Sequence, residues 1–462
     1  MLQVIAVLAE RLALVKSEKE MMNKEITIVG AGLAGCEASL QLAERGWQVK
    51  LYEMRPGKMT PAHQTELCAE LVCSNSLKSL RTDTAAGLLK EELKLLDCIL
   101  LQIGMENAVP AGHALAVDRQ AFAQAVTAKI SAHPRIELIH SEVKAIPEGI
   151  SILAGGPLTS DALMSDLIKR LGEEHLYFFD AIAPIVSADS LDPEVVFAKS
   201  RYDKGEADYL NCPFTKEEYL EFVTALQQGE KHSAHEFENE FFQALDFRFY
   251  ENCMPIEELA RRGTDTLRFG VLRPVGLEDH RTGKRAYAVL QLRAENKDKT
   301  AYNLVGCQTM LRYGAQKEIF RKIPGFAAAE FLRYGSIHRN SYLNAPALLV
   351  QNLALKNFPH TWLAGQFCGV EGYTESIAIG LLVALIIDKT FSHQTSLEIL
   401  PETTILGQFW RRLITPADKR FQPVNANFGL LPELKKVDRA NKKQELVKRA
   451  LCDLSGWIHQ LL

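Results

Sequence analysis

The 462-residue chain lacks any apolar run of the roughly 18 residues that a membrane-spanning helix needs, and 377–387 is better explained as a buried helix. Its nine cysteines include no C-x-x-C pair and no metal-ligand spacing, so no metal site is predicted. Their odd number favours free thiols in a reducing, cytoplasmic compartment. The net charge of −4 excludes a polycation, so any nucleic-acid contact must come from a local patch.

A secretory signal peptide is not predicted at the N-terminus either. The segment 2–15 is apolar and helix-prone, but Glu10 and Arg11 interrupt it and no small-residue cleavage site follows. We therefore expect residues 1–22 to be an atypical N-terminal extension. Neither a membrane nor a protein partner is predicted.

A glycine-rich turn follows the apolar run 26–29, and a helical pattern and a second apolar run then lead to Glu53. Gly30 permits a sharp turn, Gly32 lets the backbone approach a pyrophosphate, and Gly35 lets helix and strand pack closely. Glu53 stands near the spacing of a carboxylate that binds a ribose hydroxyl. This strand–turn–helix–strand–acid order predicts dinucleotide binding, for which the turn candidates are Gly30, Ala31, Gly32, Leu33, Ala34 and Gly35.

A second glycine-rich stretch, 364–376, follows an apolar strand and opens an apolar helix expected from about residue 375 to 388. Backbone amides at such a helix start can bind the edge of a flavin ring and stabilise its reduced form. Tyr373 could stack on that ring, although a structural turn with a core tyrosine would look the same. Two glycine-rich helix openings favour FAD as the cofactor. The candidates here are Gly365, Gln366, Gly369, Glu371, Gly372 and Tyr373.

Hydrophobic periodicity and local composition predict the organisation of the rest of the chain. Helices are predicted at 84–96 and 118–132 and strands at 136–139 and 150–153. Between about 185 and 355 the βαβ rhythm disappears, and it returns from residue 360. The predicted fold is α/β, with an FAD-binding Rossmann-like domain split by an inserted α+β substrate domain. We expect an extension (1–22), the two parts of the FAD domain (23–185 and 356–433), the insertion (186–355) and a basic helical tail (434–462).

Two cysteines have surroundings that indicate reactive thiols. Cys73 is followed by a serine and an asparagine, which are N-cap residue types, so we expect it at a helix N-terminus. Cys253 precedes Pro255 and two glutamates, which again suggests a helix start. Cys212 lies before a proline and is a rival candidate. The remaining six cysteines are expected to be packing residues.

Two stretches each carry five more basic than acidic residues, 261–293 and 435–449. Such patches could neutralise the phosphates of a folded RNA, although a charge-rich surface is normally just solvated. The RNA-binding candidates are Arg261, Arg262, Arg281, Lys284 and Arg285.

Taken in order, these motifs resemble the TrmFO family, the folate- and FAD-dependent tRNA (uracil-5-)-methyltransferases. The resemblance spans 25–431, and the Val-Cys-Ser-Asn-Ser run at 72–76 is not expected in the related enzymes that build carboxymethylaminomethyluridine. The segments that carry it include 30–35, 52–56, 60–63, 69–77, 114–119, 209–213, 253–257, 268–270, 334–340, 364–376 and 421–431.

This resemblance implies a GidA-type fold and a set of ligands. FAD is the expected cofactor, with Arg55 among its ligands, NAD(P)H the reductant and methylenetetrahydrofolate the one-carbon donor. The expected partner is tRNA, and the product is 5-methyluridine 54 of the T-loop. Two alternatives stay open, namely the same chemistry on a ribosomal RNA uridine and a plain NAD(P)H–flavin oxidoreductase.

The resemblance also implies roles for the two thiols. Uracil C5 is a poor nucleophile, and a thiolate that adds to C6 makes C5 enolate-like. We expect Cys253 to attack C6. Cys73 is expected near the flavin, where it acts on the C5 proton or on the transferred methylene, and Tyr373 is expected to cover the flavin.

Overall fold

The computed structural model describes residues 24–60, 62–172, 176–203, 207–231, 254–393, 395, 397–416, 421–434, 437, 438 and 440–461. The predicted N-terminal extension and Cys253 therefore lie outside the described residues. Within these ranges no helix is both long and apolar enough to cross a bilayer. The same ranges contain no cluster of side chains that could hold a metal ion.

The strands are short and fall into four sheets. In chain order they are β1 (Glu25–Val29), β2 (Gln48–Glu53), β3 (Ser76–Ser79), β4 (Ala108–Val109), β5 (Ala114–Val117), β6 (Ile136–His140), β7 (Ser151–Leu153), β8 (Leu176–Ala181), β9 (Ile185–Ser187), β10 (Phe197–Ala198), β11 (Tyr209–Phe214), β12 (Ala288–Ala294), β13 (Ala301–Leu304), β14 (Phe331–Arg333), β15 (Ile337–Tyr342), β16 (Ala354–Leu355) and β17 (Phe358–Leu363).

The α-helices lie between and after these strands. They are α1 (Leu33–Glu44), α2 (Ala85–Leu95), α3 (Ile99–Glu106), α4 (Arg119–Ala132), α5 (Asp161–Leu171), α6 (Lys216–Gln228), α7 (Ile256–Arg261), α8 (Thr266–Phe269), α9 (Tyr313–Phe320), α10 (Ala345–Leu348), α11 (Tyr373–Ser392), α12 (Ile405–Ile414) and α13 (Lys442–Leu461).

The first sheet has the order β16-β17-β7-β1-β2-β6 and is parallel except for its edge strand β16. The apolar helices α1 and α11 pack against each other beside it. At their crossing, a Cβ on Gly380 would lie 2.3 Å from the carbonyl oxygen of Ala34, so the two backbones touch. This is the Rossmann-like arrangement that the sequence predicted, and the apolar run 377–387 is buried in α11 as expected.

A second sheet, with the order β10-β11-β12-β13-β9-β14, is antiparallel throughout. All its strands come from the chain between β7 and β16, which belong to the first sheet. An antiparallel α+β unit thus interrupts a parallel nucleotide-binding fold, and the predicted fold class is confirmed. The exact domain boundaries stay predictions.

Local sequence signals placed the helices α2 and α4 correctly. Thr84 caps α2 by accepting from the Gly87 N–H, and Asp118 caps α4 by accepting from the Ala121 N–H. The helix expected after Cys73 is wrong, because the chain enters β3 there. The serine and asparagine beside Cys73 bind other parts of the chain instead of capping a helix.

Candidate active site

The glycine turn after β1 requires glycine at two of the three positions that its spacing singled out. Gly30 has φ +102°, and a Cβ there would lie 2.6 Å from the carbonyl oxygen of Ala154. A Cβ on Gly35 would lie 1.9 Å from the carbonyl oxygen of Gly30. At Gly32, by contrast, a Cβ would meet no protein atom within 4 Å. The fold itself therefore requires glycine at 30 and 35, whereas the open space at Gly32 is available to a ligand.

Glu53 ends β2 with its carboxylate beside this turn. It accepts hydrogen bonds from the backbone N–H of Ala31 (3.1 Å) and from both the backbone N–H (3.1 Å) and the Nε (2.9 Å) of Arg55. Burial alone would raise the pKa of Glu53, but the hydrogen bond and charge of Arg55 outweigh it and the pKa is lowered. The site thus contains an ionised acceptor fixed next to the first helix N-terminus.

The second glycine-rich stretch closes the opposite side. Gly365 (φ +74°) has its Cα so close to α1 that a Cβ would lie 2.7 Å from the Cβ of Ala34. Gly372 has φ +123° and precedes α11, whose first turn has no side-chain cap. The N-terminus of α1 likewise has no side-chain cap. Both helix starts therefore leave backbone N–H groups and partial positive charge available.

A cavity of about 990 Å³ lies between these two helix starts. The open position at Gly32, the two uncapped helix N-termini and the fixed carboxylate of Glu53 together match the phosphates and ribose of FAD. The residues present fit that cofactor.

The predicted cofactor ligands divide between the cavity wall and the layer behind it. At the wall lie Gly30, Gly32, Leu33, Ala34, Glu53, Arg55, Gly365, Gln366 and Tyr373. Outside that lining set lie Ala31, Gly35, Gly369, Glu371 and Gly372. Of these, Gly369 is held by packing, since a Cβ there would lie 2.2 Å from the ring of Phe421. Which of these residues contact the cofactor stays a prediction.

Cys73 is held against the first turn of α11. The Tyr373 hydroxyl accepts hydrogen bonds from the backbone N–H groups of Cys73 (2.8 Å) and Ser74 (3.2 Å). The next helix residue, Thr374, donates to the carbonyl of Leu77 (3.1 Å). Successive residues of α11, whose start lines the cavity, are therefore hydrogen-bonded to the segment that carries the Cys73 thiol.

Glu375, which follows Thr374 in α11, adds a charged contact between this helix and the Cys73 segment. Glu375 is fully buried, and its Oε1 accepts from Lys78 Nζ (2.6 Å) and from the Ala426 N–H (3.1 Å). Removing the Lys78 ammonium would leave the buried Glu375 carboxylate without a counter-charge. The ion pair therefore stabilises the contact between the two segments.

Arginines from other parts of the chain complete the surroundings of Cys73. Arg119 donates to the carbonyl oxygens of Leu71 (2.6 Å) and Cys73 (3.4 Å). Arg293 donates to Asn75 Oδ1 (2.7 Å) and to the Ser74 hydroxyl (2.8 Å). Glu295 accepts a hydrogen bond from Arg119 (3.2 Å) and offsets part of this charge, so the two guanidinium groups mainly hold the backbone of the loop in place.

Sequence reasoning missed several of these residues. Arg293 was counted in the basic run 261–293, but it is only 9% exposed and points at the Cys73 loop. Arg119 and His63 were noted only as parts of longer similar segments. His63 lines the cavity, and burial followed by the charge of Arg55 lowers its pKa to about 4, so its imidazole is neutral near pH 7. The only sequence signal for Arg119 and His63 was their place in those similar segments.

The other thiols differ sharply from Cys73. Cys212 lies buried in β11, and burial raises its pKa, which argues against its candidacy as a nucleophile. Of the six expected packing cysteines, five are buried as predicted, while Cys452 is exposed on α13. Cys73 is partly exposed, as a reacting thiol needs to be.

The RNA-binding candidates lie on the inserted unit. Arg261, Arg262, Arg281, Lys284 and Arg285 are all exposed. Arg281 nevertheless binds Asp279 (2.9 Å) and the carbonyl oxygens of Glu194 (2.8 Å) and Val195 (2.9 Å), so its guanidinium holds two loops together. An RNA role for these five residues stays a prediction.

Comparison with known proteins first defines the class. Residues 25–395 match the family described as Glucose inhibited division protein A. The fold is similar to the form I crystal structure of Aquifex aeolicus GidA, with a TM-score of 0.65 and 13% identity over 94% of this chain and 76% of that one. Fold and cavity together define an FAD-binding protein of the GidA type.

Closer relatives identify the family. The chain is 50% identical over 443 residues to the methylenetetrahydrofolate–tRNA-(uracil-5-)-methyltransferase TrmFO of Pelobacter propionicus, covering 95% of this chain and 96% of that protein. It is 48% identical over 443 residues to the protein of the same name from Halalkalibacterium halodurans, covering 96% and 100%. The chain belongs to the TrmFO family.

Proposed function

We propose that this protein transfers a one-carbon unit from methylenetetrahydrofolate to C5 of a uridine in tRNA, forming 5-methyluridine 54 of the T-loop. The reaction uses FAD, with NAD(P)H as reductant. The observation that carries the proposal is the hydrogen bonding of the Cys73 loop to Tyr373, at the wall of the cavity that the two glycine-rich turns line. The relatives named above bear the corresponding enzyme name over nearly their whole length.

Each group at the cavity has a task in this reaction. When bound, FAD supplies the hydride that reduces the transferred carbon. Glu53 and the uncapped start of α1 would hold the ribose and phosphates, and the uncapped start of α11 would offer backbone N–H groups to the flavin. Tyr373 holds the Cys73 backbone at the wall, and Arg119 and Arg293 fix the loop from its far side.

The two thiols divide the work on the uracil ring. The Cys253 thiolate forms a sulfur–C6 bond, which places negative charge on C5 and O4 and makes C5 a nucleophile towards the one-carbon unit. Cys73 removes the C5 proton or assists the transfer of the methylene. Once that proton is lost and the transferred carbon is reduced, the sulfur–C6 bond breaks, which re-forms the C5–C6 double bond and releases the Cys253 thiolate. The chain on the C-terminal side of Cys253 is anchored where the Ile256 N–H donates to the Gln308 carbonyl (2.7 Å).

The RNA contacts are proposed on the inserted unit. Lys284 and Arg285 are exposed and meet phosphates, together with Arg261 and Arg262, while Arg281 keeps its neighbouring loops in place. A tRNA substrate and free thiols support a cytoplasmic location.

One reconstitution tests the proposal. The purified protein is incubated with methylenetetrahydrofolate, NAD(P)H and unmodified tRNA or ribosomal RNA transcripts, and 5-methyluridine is mapped. Product at the T-loop of tRNA is the expected result. Product on ribosomal RNA alone would change the substrate, and flavin reduction without product on either RNA would favour the plain oxidoreductase.

Trapping tests the assignment of the thiols. RNA containing 5-fluorouracil at the target position is mixed with the protein, and the covalent complex is counted on a denaturing gel. Cys253→Ala is expected to abolish the complex, whereas Cys452→Ala, on the exposed side of α13, serves as the matched control and keeps it. A full yield of complex from Cys253→Ala would show that another residue attacks C6.

A further inference from the structure

Three aromatic rings form a continuous stack on the inserted unit. The rings of Phe331 and Tyr334 lie 5.2 Å apart at 16°, and those of Tyr334 and Tyr313 lie 5.2 Å apart at 25°. The inner end is anchored in the core, where Phe331 lies 6.4 Å from the fully buried Phe320. The outer end, Tyr313, is 57% exposed. Parallel rings that run from the core to the surface present a flat π surface at the outer end.

The inner end of this stack adjoins the Cys73 site. Arg333 lies between Phe331 and Tyr334 in the chain, and its guanidinium donates to the carbonyl of Ala62 (2.9 Å) beside the cavity-lining His63. Burial lowers the pKa of Arg333, and the groups within electrostatic reach of it include Arg119, Tyr373 and Cys73. The segment that carries Phe331 and Tyr334 thus also contacts the chain beside the cavity.

The other end of the stack adjoins the anchor of the second thiol. Gln308 accepts from the Ile256 N–H, and Glu257 accepts from the Thr309 hydroxyl (3.0 Å) and the Met310 N–H (2.6 Å). Tyr313 follows Met310 by three residues. The stack therefore lies on chain segments that also contact the chain beside the cavity and the helix that follows Cys253 in the sequence.

We propose that the stack of Phe331, Tyr334 and Tyr313 is a nucleobase-binding platform for an unpaired base of the RNA substrate. The inference rests on the proposed function. RNA loops expose unstacked bases that bind to aromatic faces, and every base has such a face. Lys317 lies one helical turn after Tyr313 on the same face of α9 and is exposed, so it can meet the phosphate of the stacked nucleotide.

The test compares Tyr313→Ala with Tyr313→Phe in the full-length, FAD-loaded protein. Binding is measured with a T-arm transcript that carries 2-aminopurine next to the target uridine, whose fluorescence falls when the base stacks. Tyr313→Ala is expected to weaken binding about 5- to 150-fold and to restore fluorescence, since a base–aromatic stack contributes about 1–3 kcal/mol. Tyr313→Phe keeps the ring and is expected to behave like the wild type.

Leu332→Ala is the matched control, because Leu332 is a similarly exposed apolar residue on β14. It is expected to leave both affinity and fluorescence unchanged. Wild-type affinity and quenching in Tyr313→Ala would overturn the platform while product formation by the wild type keeps the proposed function. An equal loss in Tyr313→Phe or Leu332→Ala would also overturn the platform. A wild-type protein that neither binds nor methylates RNA would refute both proposals.

Discussion

Replacing Tyr373 with phenylalanine removes the hydroxyl oxygen that joins α11 to the Cys73 loop by hydrogen bonds. The ring remains, but the N–H groups of Cys73 and Ser74 lose the acceptor that lies 2.8 and 3.2 Å away. A donor left without a partner costs about 1–3 kcal/mol. Because the loop is only half-buried, water can replace part of the loss, and the lower end applies to each donor.

The combined cost of about 2 kcal/mol corresponds to roughly a 30-fold loss if it falls on the reacting geometry. We therefore expect Tyr373→Phe to lower kcat about 30-fold. The cavity keeps its glycine turn and Glu53, so the ratio of bound FAD to protein, measured by flavin absorbance, is expected to stay at the wild-type value.

Tyr219→Phe provides a matched control. The Tyr219 hydroxyl also bridges two backbone groups, donating to Thr264 (2.6 Å) and accepting from the Arg268 N–H (3.1 Å), but it lies in the core of the inserted unit. Both variants are expected to lower Tm, and only Tyr373→Phe is expected to lower kcat. The reasoning would be refuted by wild-type turnover in Tyr373→Phe, by loss of its FAD, or by an equal loss of turnover in Tyr219→Phe.

The remaining predictions concern the cavity and a buried carboxyl. Gly35→Ala places a Cβ 1.9 Å from a carbonyl oxygen and is expected to abolish soluble folding, whereas Gly32→Ala meets no protein atom and should keep the apoprotein Tm while weakening FAD binding at least about 10-fold in a fluorescence titration. Unchanged FAD affinity in Gly32→Ala would contradict a close approach of the cofactor. Glu92 lies on α2, is fully buried and accepts hydrogen bonds from the first backbone N–H groups of α12. Burial raises its pKa from 4.5 to about 7. Its stabilising contribution is therefore complete below pH 4.5 and is lost as pH rises through 7. The free energy of unfolding of the wild type should fall relative to that of Glu92→Gln by up to about 3 kcal/mol over that interval, and a difference independent of pH would contradict this.

Much of the nucleotide-binding half could be predicted because its signals are local. The glycine spacing, the apolar runs and the caps at Thr84 and Asp118 each act within a few residues of the chain. The change of residue pattern after residue 185 likewise indicated the inserted α+β unit. The local signal failed at Cys73, where a serine and an asparagine suggested a helix cap but serve long-range hydrogen bonds.

The basic run 261–293 shows a second limit of local reasoning. Its charges suggested one RNA-binding face, but Arg281 binds neighbouring carbonyl groups and Arg293 is buried against the Cys73 loop. Arg268 lies over the ring of Tyr287, with its guanidinium carbon 4.2 Å from the ring centroid. Sequence gives the sign of a charge, whereas its partner depends on which strands become neighbours.

By itself the sequence determined the dinucleotide turn and the split nucleotide fold, because spacing and residue type within short segments are enough for each, and it limited the candidate thiols to Cys73, Cys253 and Cys212. Only the tertiary structure decided that Tyr373 would bind the Cys73 backbone and that Arg119 and Arg293 would converge on the same loop. These partners are 46 to 300 residues apart in the chain, so no local pattern records them. Their meeting depends on the packing of α11 beside the first sheet and on the second sheet lying against the loop.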